Sequence, residues 1–317
     1  MESTAAARES GRIWPYIQIA RVDHWFKNVF MLPGTAIAVV LTGIPVDFLK
    51  LMVGIASACL VASANYVLNE WLDAEFDRFH PVKKNRPSVV ADLNPALVYT
   101  EYALLTAAGL GLGALISVHF VAAAASLWFM AILYNVKPIR MKDRIYLDVL
   151  SESVNNPIRL ALGWFVVTSA PLPPSSLSLG YWMLGAYLMG VKRYAELRSI
   201  GPEVAALYRR SFQAYTEEKL LISIQFYASS ASFFLGVFLV KHRIELLFTL
   251  PFIAAAFAWY LHIGMKQESA ASTPERLYRE TGFISYLTFV VLLTGMLFVV
   301  DLPWLDWFLN NAFSNGG

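Results

Sequence analysis

Long apolar stretches separated by shorter polar ones recur along the whole chain, and this pattern predicts helices that cross a membrane. A helix needs roughly 20 apolar residues to span a bilayer core about 30 Å thick. Windows of that length fall at residues 24–43, 46–68, 95–116, 118–135, 147–168, 176–194, 220–240, 244–264 and 281–300. We therefore predict an all-α fold, a polytopic membrane bundle of about nine transmembrane helices.

The lysines and arginines between these stretches predict the orientation of the bundle. Basic residues accumulate in the cytoplasmic connections of membrane proteins. Most of the 25 lysines and arginines precede the first stretch or follow the second, fourth, sixth and eighth, whereas Lys50, Lys241 and Arg243 lie in the opposite connections. We expect a cytoplasmic N-terminus and a functional site on the cytoplasmic side.

The composition supports a membrane protein and argues against some functions. Hydrophobic residues make up 57% of the chain and charged ones only 15%, against about 25% charged in soluble domains. A net charge of +2 provides no basic field for nucleic acid, so no nucleic-acid partner is expected. We expect residues 1–20 to form a cytoplasmic tail and residues 21–317 to form a single transmembrane catalytic domain.

A polar stripe follows the second apolar stretch. Asn65, Asn69, Asp73 and Asp77 recur every four residues, and Glu70 lies beside Asp73, so a continuous helix places them on one side. Carboxylates at this spacing repel one another unless a cation neutralises them, and Mg²⁺ binds one or two carboxylates together with substrate phosphates. The stripe alone favours a metal–diphosphate site no more than it favours an ordinary solvated helix end.

A second polar face lies on the fifth stretch. Asp148, Glu152, Asn155 and Arg159 follow helical spacing, and ionisable groups inside a span normally face a partner or a water-filled cavity. A structural pair of Glu152 with Arg159 is one interpretation. Two acidic faces at the cytoplasmic ends of separate helices favour the other, a shared site that binds one diphosphate from two sides.

Basic and aromatic residues accompany the two acidic faces. Lys27 and Asn28, beside Trp25 at the start of the first stretch, either contact a phosphate or anchor the helix at the interface. Further candidates for substrate binding are Arg78, Lys83, Arg86, Tyr134, Lys137, Arg140, Lys192, Arg193, Glu196 and Arg198. The orientation of the bundle alone accounts for most of the basic ones.

Motifs of other reaction classes are missing from the sequence. It contains no Walker loop, no G-x-G-x-x-G after a strand, no nucleophile elbow and no zinc-type Cys/His spacing. A transporter that uses the acidic face for ions is an alternative from another class. The sequence has no convincing internal repeat, however, and its polar residues cluster at one membrane face, which is unlike many transporters.

Asn69-Glu70-x-x-Asp73-x-x-x-Asp77, followed by Arg86-Pro87, resembles the first acidic motif of the UbiA-type intramembrane transferases. The stretch from Tyr134 through Lys137 and Asp143 to Asp148 resembles the second acidic motif of these enzymes. The resemblance implies a nine-helix enzyme with Mg²⁺ as its cofactor. It implies a catalytic set of Asn69, Glu70, Asp73, Asp77 and Asp148, in which the four carboxylates hold the metal.

Two stretches, Asp77–Lys83 and Lys192–Arg198, are similar to the decaprenyl-phosphate phosphoribosyltransferase branch. This branch implies transfer of a 5-phosphoribosyl group from phosphoribosyl diphosphate to a polyprenyl phosphate, a plasma (inner) membrane location and a homotrimer. The alternative is a prenyltransferase that moves a prenyl group from prenyl diphosphate to an aromatic or other lipophilic acceptor. Glu70 stands where the family usually has Asp, and Ser88–Asp92 replaces a small, glycine-containing stretch.

Overall fold

The computed structural model describes residues 13–242, 244–267, 269–272 and 274–305, and all regular elements within these ranges are helical. This confirms the all-α prediction. The chain forms two compact units: Met1–Pro173 with Ile200–Tyr215, and Pro174–Ser199 with Thr216–Gly317. Part of the predicted tail (residues 1–12) and Arg243 lie outside the described residues, whereas residues 13–19 of that tail are helical.

Helices long and apolar enough to cross a membrane number seven in the described ranges. They are Ile13–Thr42, Phe48–Asp77, Pro95–Ala114, Val118–Asn135, Glu217–His242, Ile244–Gly264 and Thr281–Val299. They match seven of the nine predicted stretches. The stretch at 147–168 is divided at Val154 into two short helices, and the helix over 176–194 continues into a charged end. The count of nine spans and the side of the N-terminus stay predictions.

The first unit contains most of the helices. They are α1 (residues 13–19), α2 (Leu32–Thr42), α3 (Phe48–Asp77), α4 (Pro87–Val90), α5 (Pro95–Ala114), α6 (Val118–Asn135), α7 (Leu147–Ser153), α8 (Asn155–Val167) and α10 (Pro202–Tyr208). In addition, 3₁₀ helices cover Val22–Met31, Lys83–Asn85, Met141–Asp143 and Arg210–Gln213.

Small residues allow two helices of this unit to touch along their backbones. A Cβ on Gly34 of α2 would overlap the Leu160 carbonyl of α8, and one on Gly163 would overlap the Met31 carbonyl. The Thr35 hydroxyl donates to the Gly163 carbonyl at 2.9 Å. Close approach of this kind is the usual basis of helix packing inside membranes, where no water drives apolar surfaces together.

The 3₁₀ helix Val22–Met31 is ten residues long, which is unusual because runs beyond three or four residues are uncommon. Its side chains bond to α3 along its length. Trp25 Nε1 donates to the Ser63 hydroxyl at 2.8 Å, and Asn28 Nδ2 donates to Cys59 Sγ at 3.2 Å. These contacts hold the beginning of the chain against the helix that carries the first acidic motif.

The second unit contains α9 (Ser175–Ile200), α11 (Glu217–His242), α12 (Leu250–Gly264) and α13 (Thr281–Val299). Glycines again permit close packing, since a Cβ on Gly180 of α9 would press on Leu235 of α11. Large apolar side chains such as Phe233, Val291 and Leu292 are exposed. An apolar exterior is the expected surface of helices that face lipid.

Candidate active site

Helix α3 continues without a break for 30 residues to Asp77, so the predicted polar stripe lies on one helix. The side chains of this stripe do not all contact the same partners. Asn65 donates to the Leu127 carbonyl of α6 at 3.1 Å, and its Oδ1 is buried without a hydrogen-bond partner. Further along the helix, Asp73 and the pair Glu70 and Asp77 belong to two separate groups of contacts.

The first group, called the Asp73 cluster, comprises Asn69, Asp73, Asn135, Arg140 and Lys142. Arg140 Nη2 donates to Asp73 Oδ1 at 2.9 Å, and Lys142 Nζ also contacts this oxygen. Lys142 Nζ donates in addition to Asn135 Oδ1 at 2.6 Å and to Asn69 Oδ1 at 3.2 Å. An ammonium group that is only 3% exposed is thus surrounded by three side-chain oxygens.

The connection after α6 brings these cations to α3. Arg140 has a positive φ of 32°, and its guanidinium donates to the Asn135 carbonyl at 2.9 Å and to Asp143 at 3.1 Å. The same guanidinium lies 4.8 Å from the ring centre of Phe76 on α3. Arg140 therefore folds the connection back on itself and fixes it beside Asp73.

Burial lowers the pKa of Lys142 to about 8, although Asp73 opposes the shift. The positive charges of Arg140 and Arg209 contribute to the same lowering of this pKa. The ammonium is consequently charged at neutral pH and close to losing its proton above it.

The second group, called the Glu70 clamp, comprises Arg21, Glu70, Asp77, Arg86 and Ser88. Glu70 is 1% exposed, and its Oε1 accepts from Arg21 at 3.0 Å and lies 3.5 Å from Arg86 Nε. Arg86 Nη1 donates to Asp77 at 2.7 Å, and the Ser88 hydroxyl donates to Glu70 Oε2 at 3.4 Å. The clamp joins the start of the chain and the connection after α3 to the end of that helix.

Asp148, on α7, is fully buried and accepts hydrogen bonds from a distant part of the chain. The hydroxyls of Tyr215 and Ser211 donate to its two oxygens at 2.6 and 3.1 Å, and Arg209 Nη1 lies 3.9 Å away. Asp148 therefore holds the segment that includes α10 against the rest of the first unit.

Glu152 lies one helical turn after Asp148. The Tyr134 hydroxyl of α6 donates to Glu152 at 2.7 Å, and Arg209 donates to that hydroxyl at 3.1 Å. Arg159, deeper along this stretch, donates to Asn28 Oδ1 at 3.1 Å. The second predicted polar face thus contacts α6, the segment after α10 and the first 3₁₀ helix.

The four predicted metal ligands do not converge on one point. Across residues 13–305, apart from the three gaps in the described ranges, no three or more Asp, Glu, His or Cys side chains are close enough to hold an ion. Arginines hold Glu70 and Asp77, and hydroxyl groups bind both oxygens of Asp148. The Asp73 cluster nevertheless offers hard oxygen donors, which suit Mg²⁺ when substrate phosphates complete its coordination.

Four other predicted binding residues of the first unit are Lys27, Arg78, Lys83 and Lys137. Arg78 is exposed and donates to the Glu75 carbonyl at 2.7 Å. Lys83 lies over the ring of Tyr208, 4.4 Å from its centre. Lys137 is exposed, and Lys27 contacts His24 at 2.9 Å.

The remaining predicted residues belong to α9 of the second unit. Arg193 is 2% exposed and donates to Glu196, one turn later, at 3.1 Å. Arg198 donates to the Tyr194 hydroxyl at 3.1 Å, and Lys192 lies on the same helix.

Some residues at the site were not among the predicted ones. Asn135 is the last residue of α6 and Lys142 lies in the connection that follows it, so their polar side chains within the second motif are a signal that the sequence offers. Arg209, Ser211 and Tyr215 lie more than 50 residues after Asp148, and no local pattern connects them to it.

Comparison with known proteins places the chain in a family. The model of the UbiA prenyltransferase family matches residues 30–287, so the chain belongs to that family of membrane-embedded transferases. Two similar relatives are decaprenyl-phosphate phosphoribosyltransferases. The one from Mycolicibacterium smegmatis is 29% identical over 209 residues, which cover 64% of this chain and 63% of the relative. The one from Mycobacterium tuberculosis is 27% identical over 209 residues, covering 64% and 67%.

Solved structures support the fold. A UbiA homolog from Archaeoglobus fulgidus, bound to DMAPP and Mg²⁺, is 19% identical with a TM-score of 0.67 and covers 90% of this chain and 99% of its own. A structure of digeranylgeranylglyceryl phosphate synthase has a TM-score of 0.62 at 14% identity, covering 91% and 97%. The chain spans about two thirds of the length of its curated relatives.

Proposed function

We propose that this enzyme transfers a 5-phosphoribosyl group from phosphoribosyl diphosphate to a polyprenyl phosphate, with Mg²⁺ as cofactor and with diphosphate as the second product. The observation that carries the proposal is the Asp73 cluster, where hard oxygen donors and two cations meet at the end of α3. The names of the two similar relatives support the choice of donor and acceptor.

In this mechanism Asp73, Asn69 and Asn135 would hold Mg²⁺. When bound, Mg²⁺ neutralises the charge that develops on the departing diphosphate. Arg140, fixed by Asn135 and Asp143, supplies a further positive charge that needs no rearrangement during the reaction.

The reaction balances without a general base. The C1–O bond of the donor to its diphosphate breaks, and a C1–O bond to an oxygen of the lipid phosphate forms. The lipid phosphate is already an anion, so no proton needs to be removed from it. We propose that the cations Lys192, Arg193 and Arg198 of α9 bind an anionic group of a substrate.

The proposal includes a location in the plasma membrane, with the site on the cytoplasmic side and a homotrimeric assembly. The bias of lysines and arginines supports the orientation. The resemblance to the phosphoribosyltransferase branch supports the location and the trimer.

A second candidate is a prenyltransferase that uses the same site. Its support is that two similar Archaeoglobus structures are bound to DMAPP or GPP with Mg²⁺. In that reaction the same charges would stabilise diphosphate as it leaves an allylic carbon, and a neutral acceptor would attack.

Parallel assays on purified protein in detergent with Mg²⁺ separate the two candidates. One offers ribose-labelled phosphoribosyl diphosphate with a polyprenyl phosphate, and the other a labelled prenyl diphosphate with aromatic acceptors. The proposal predicts that ribosyl label enters the lipid phase and that EDTA abolishes this transfer. Prenyl transfer in the second assay, with no ribosyl transfer in the first, would refute it in favour of the alternative.

A further inference from the structure

The ammonium of Lys142 occupies the position where the side-chain oxygens of the Asp73 cluster meet. It contacts Asp73, Asn135 and Asn69, and it is almost completely shielded from water. Three converging oxygens, one of them from a carboxylate, resemble the environment of a bound cation.

We propose that Lys142 is an internal counter-ion that competes with the divalent metal for Asp73, so that the metal binds well only together with the donor diphosphate. This inference rests on the proposed function, because it assumes that Asp73 is a metal ligand. In this role Lys142 makes tight binding of the metal depend on binding of the donor.

The metal and the Lys142 ammonium compete because both are positively charged and both would contact the same oxygen of Asp73. A divalent ion in contact with Asp73 Oδ1 would lie against an ammonium that contacts the same oxygen, and two cations at that separation repel strongly where little water is present. The metal must therefore displace Lys142 or remain weakly bound. The negative charges of a diphosphate would compensate for this repulsion, which links metal binding to donor binding.

The side chain of Lys142 suits a displaceable cation. Lysine carries a compact charge on a flexible stem, whereas the planar guanidinium of Arg140 is fixed by several directed hydrogen bonds. Arg140 Nη2 remains 2.9 Å from Asp73 Oδ1, so Asp73 keeps one cationic partner when Lys142 leaves. Removal of the Lys142 charge therefore should not leave the carboxylate without a partner.

The test is equilibrium dialysis of the detergent-purified full chain against Mn²⁺ alone, with neither donor nor acceptor present. Lys142→Gln and Lys142→Met should each bind Mn²⁺ more tightly than the wild type, by roughly tenfold or more. Lys84→Gln is the matched control, since Lys84 is exposed on the connection after α3 and should leave the affinity unchanged.

A double variant checks that the gain arises at the proposed position. Adding Asp73→Asn to Lys142→Gln should remove the extra affinity, because the shared carboxylate is lost. Lys142→Met removes the charge while keeping an unbranched side chain, so it serves if Lys142→Gln fails to fold.

Equal or weaker Mn²⁺ binding by folded Lys142 variants would overturn the proposal, as would a gain that persists without Asp73. The assay contains no ribosyl or prenyl donor, so its result does not depend on which transfer the enzyme catalyses. Failure of ribosyl transfer in the activity assay would not change the Mn²⁺-binding result. Likewise, unchanged Mn²⁺ binding by the Lys142 variants would not change the result of the activity assay.

Discussion

The Asp73 cluster and the Glu70 clamp arise from the same short motif on one helix, and in each of them carboxylate groups of α3 are paired with cations. In the Glu70 clamp the partners are Arg21 and Arg86, which reach Glu70 and Asp77 from separate parts of the chain. In the Asp73 cluster a lysine occupies the centre and is surrounded by amide and carboxylate oxygens.

The difference suggests two roles within one motif. Guanidinium groups form several directed hydrogen bonds and hold segments in place, whereas an ammonium is a compact charge that can leave a site more readily. We infer that the Glu70 clamp stabilises the end of α3, and that the Asp73 cluster binds the metal and diphosphate. The following predictions test this division, beginning with the largest effect.

Asp73→Asn should reduce the transfer rate by at least about 100-fold, because a metal ligand that supports several kcal/mol of charge stabilisation is lost. The measurement is initial-rate transfer of labelled donor at saturating Mg²⁺. Glu75→Gln is the control, since Glu75 is exposed two residues further along the same helix and its change should leave the rate near that of the wild type. A rate for Asp73→Asn within a few-fold of wild type would contradict the assignment.

Glu70→Gln should act mainly on stability. Removing one charge from a buried ion pair costs about 3 kcal/mol or more, since the partner charges lose their counter-ion. Thermal unfolding in detergent should show a Tm several degrees lower, while the transfer rate, measured well below that Tm, should stay within a few-fold of wild type. An unchanged Tm with an abolished rate would instead make Glu70 part of the binding site.

The titration of Lys142 should appear in the pH dependence of stability. Its pKa is about 8 in the folded protein against an ordinary value of 10.5, so between these pH values the unfolded chain holds more protons than the folded one. The free energy of unfolding of the metal-free wild type should therefore rise with pH between these values. The rise should be absent from Lys142→Met, which lacks the titrating group. Thermal unfolding of both proteins at pH 7.5 and 9.5 tests this. A relative loss of stability at the higher pH would show the opposite shift.

Tyr215→Phe should have the smallest effect of the four. It removes a hydroxyl that donates to Asp148 at 2.6 Å and accepts from the Tyr146 backbone at 2.8 Å, and one such net contribution is about 1 kcal/mol. We expect a modest fall in Tm, while metal binding remains unchanged because Asp148 lies outside the Asp73 cluster. Loss of Mn²⁺ binding in this variant would place Asp148 among the metal ligands.

The all-α fold and the continuous helix through Asp77 were predictable from the sequence, because apolar length and four-residue spacing are local properties. The break at Val154 was not anticipated, and the apolar window of 147–168 extends across it. The spacing of residues along the chain also does not predict which cation pairs with each carboxylate. Spacing places Glu70 and Asp73 side by side, but the choice between Arg21 and Lys142 as partner depends on where distant connections fold.

The most direct test of the division compares Asp73→Asn with Glu70→Gln in binding Mn²⁺ together with inorganic diphosphate, measured by equilibrium dialysis below the Tm of both. The account predicts that Asp73→Asn loses diphosphate-dependent Mn²⁺ binding, while Glu70→Gln retains it close to the wild-type level. Equal loss in both variants would make Glu70 a part of the metal site. Full retention in Asp73→Asn would contradict the central role assigned to Asp73.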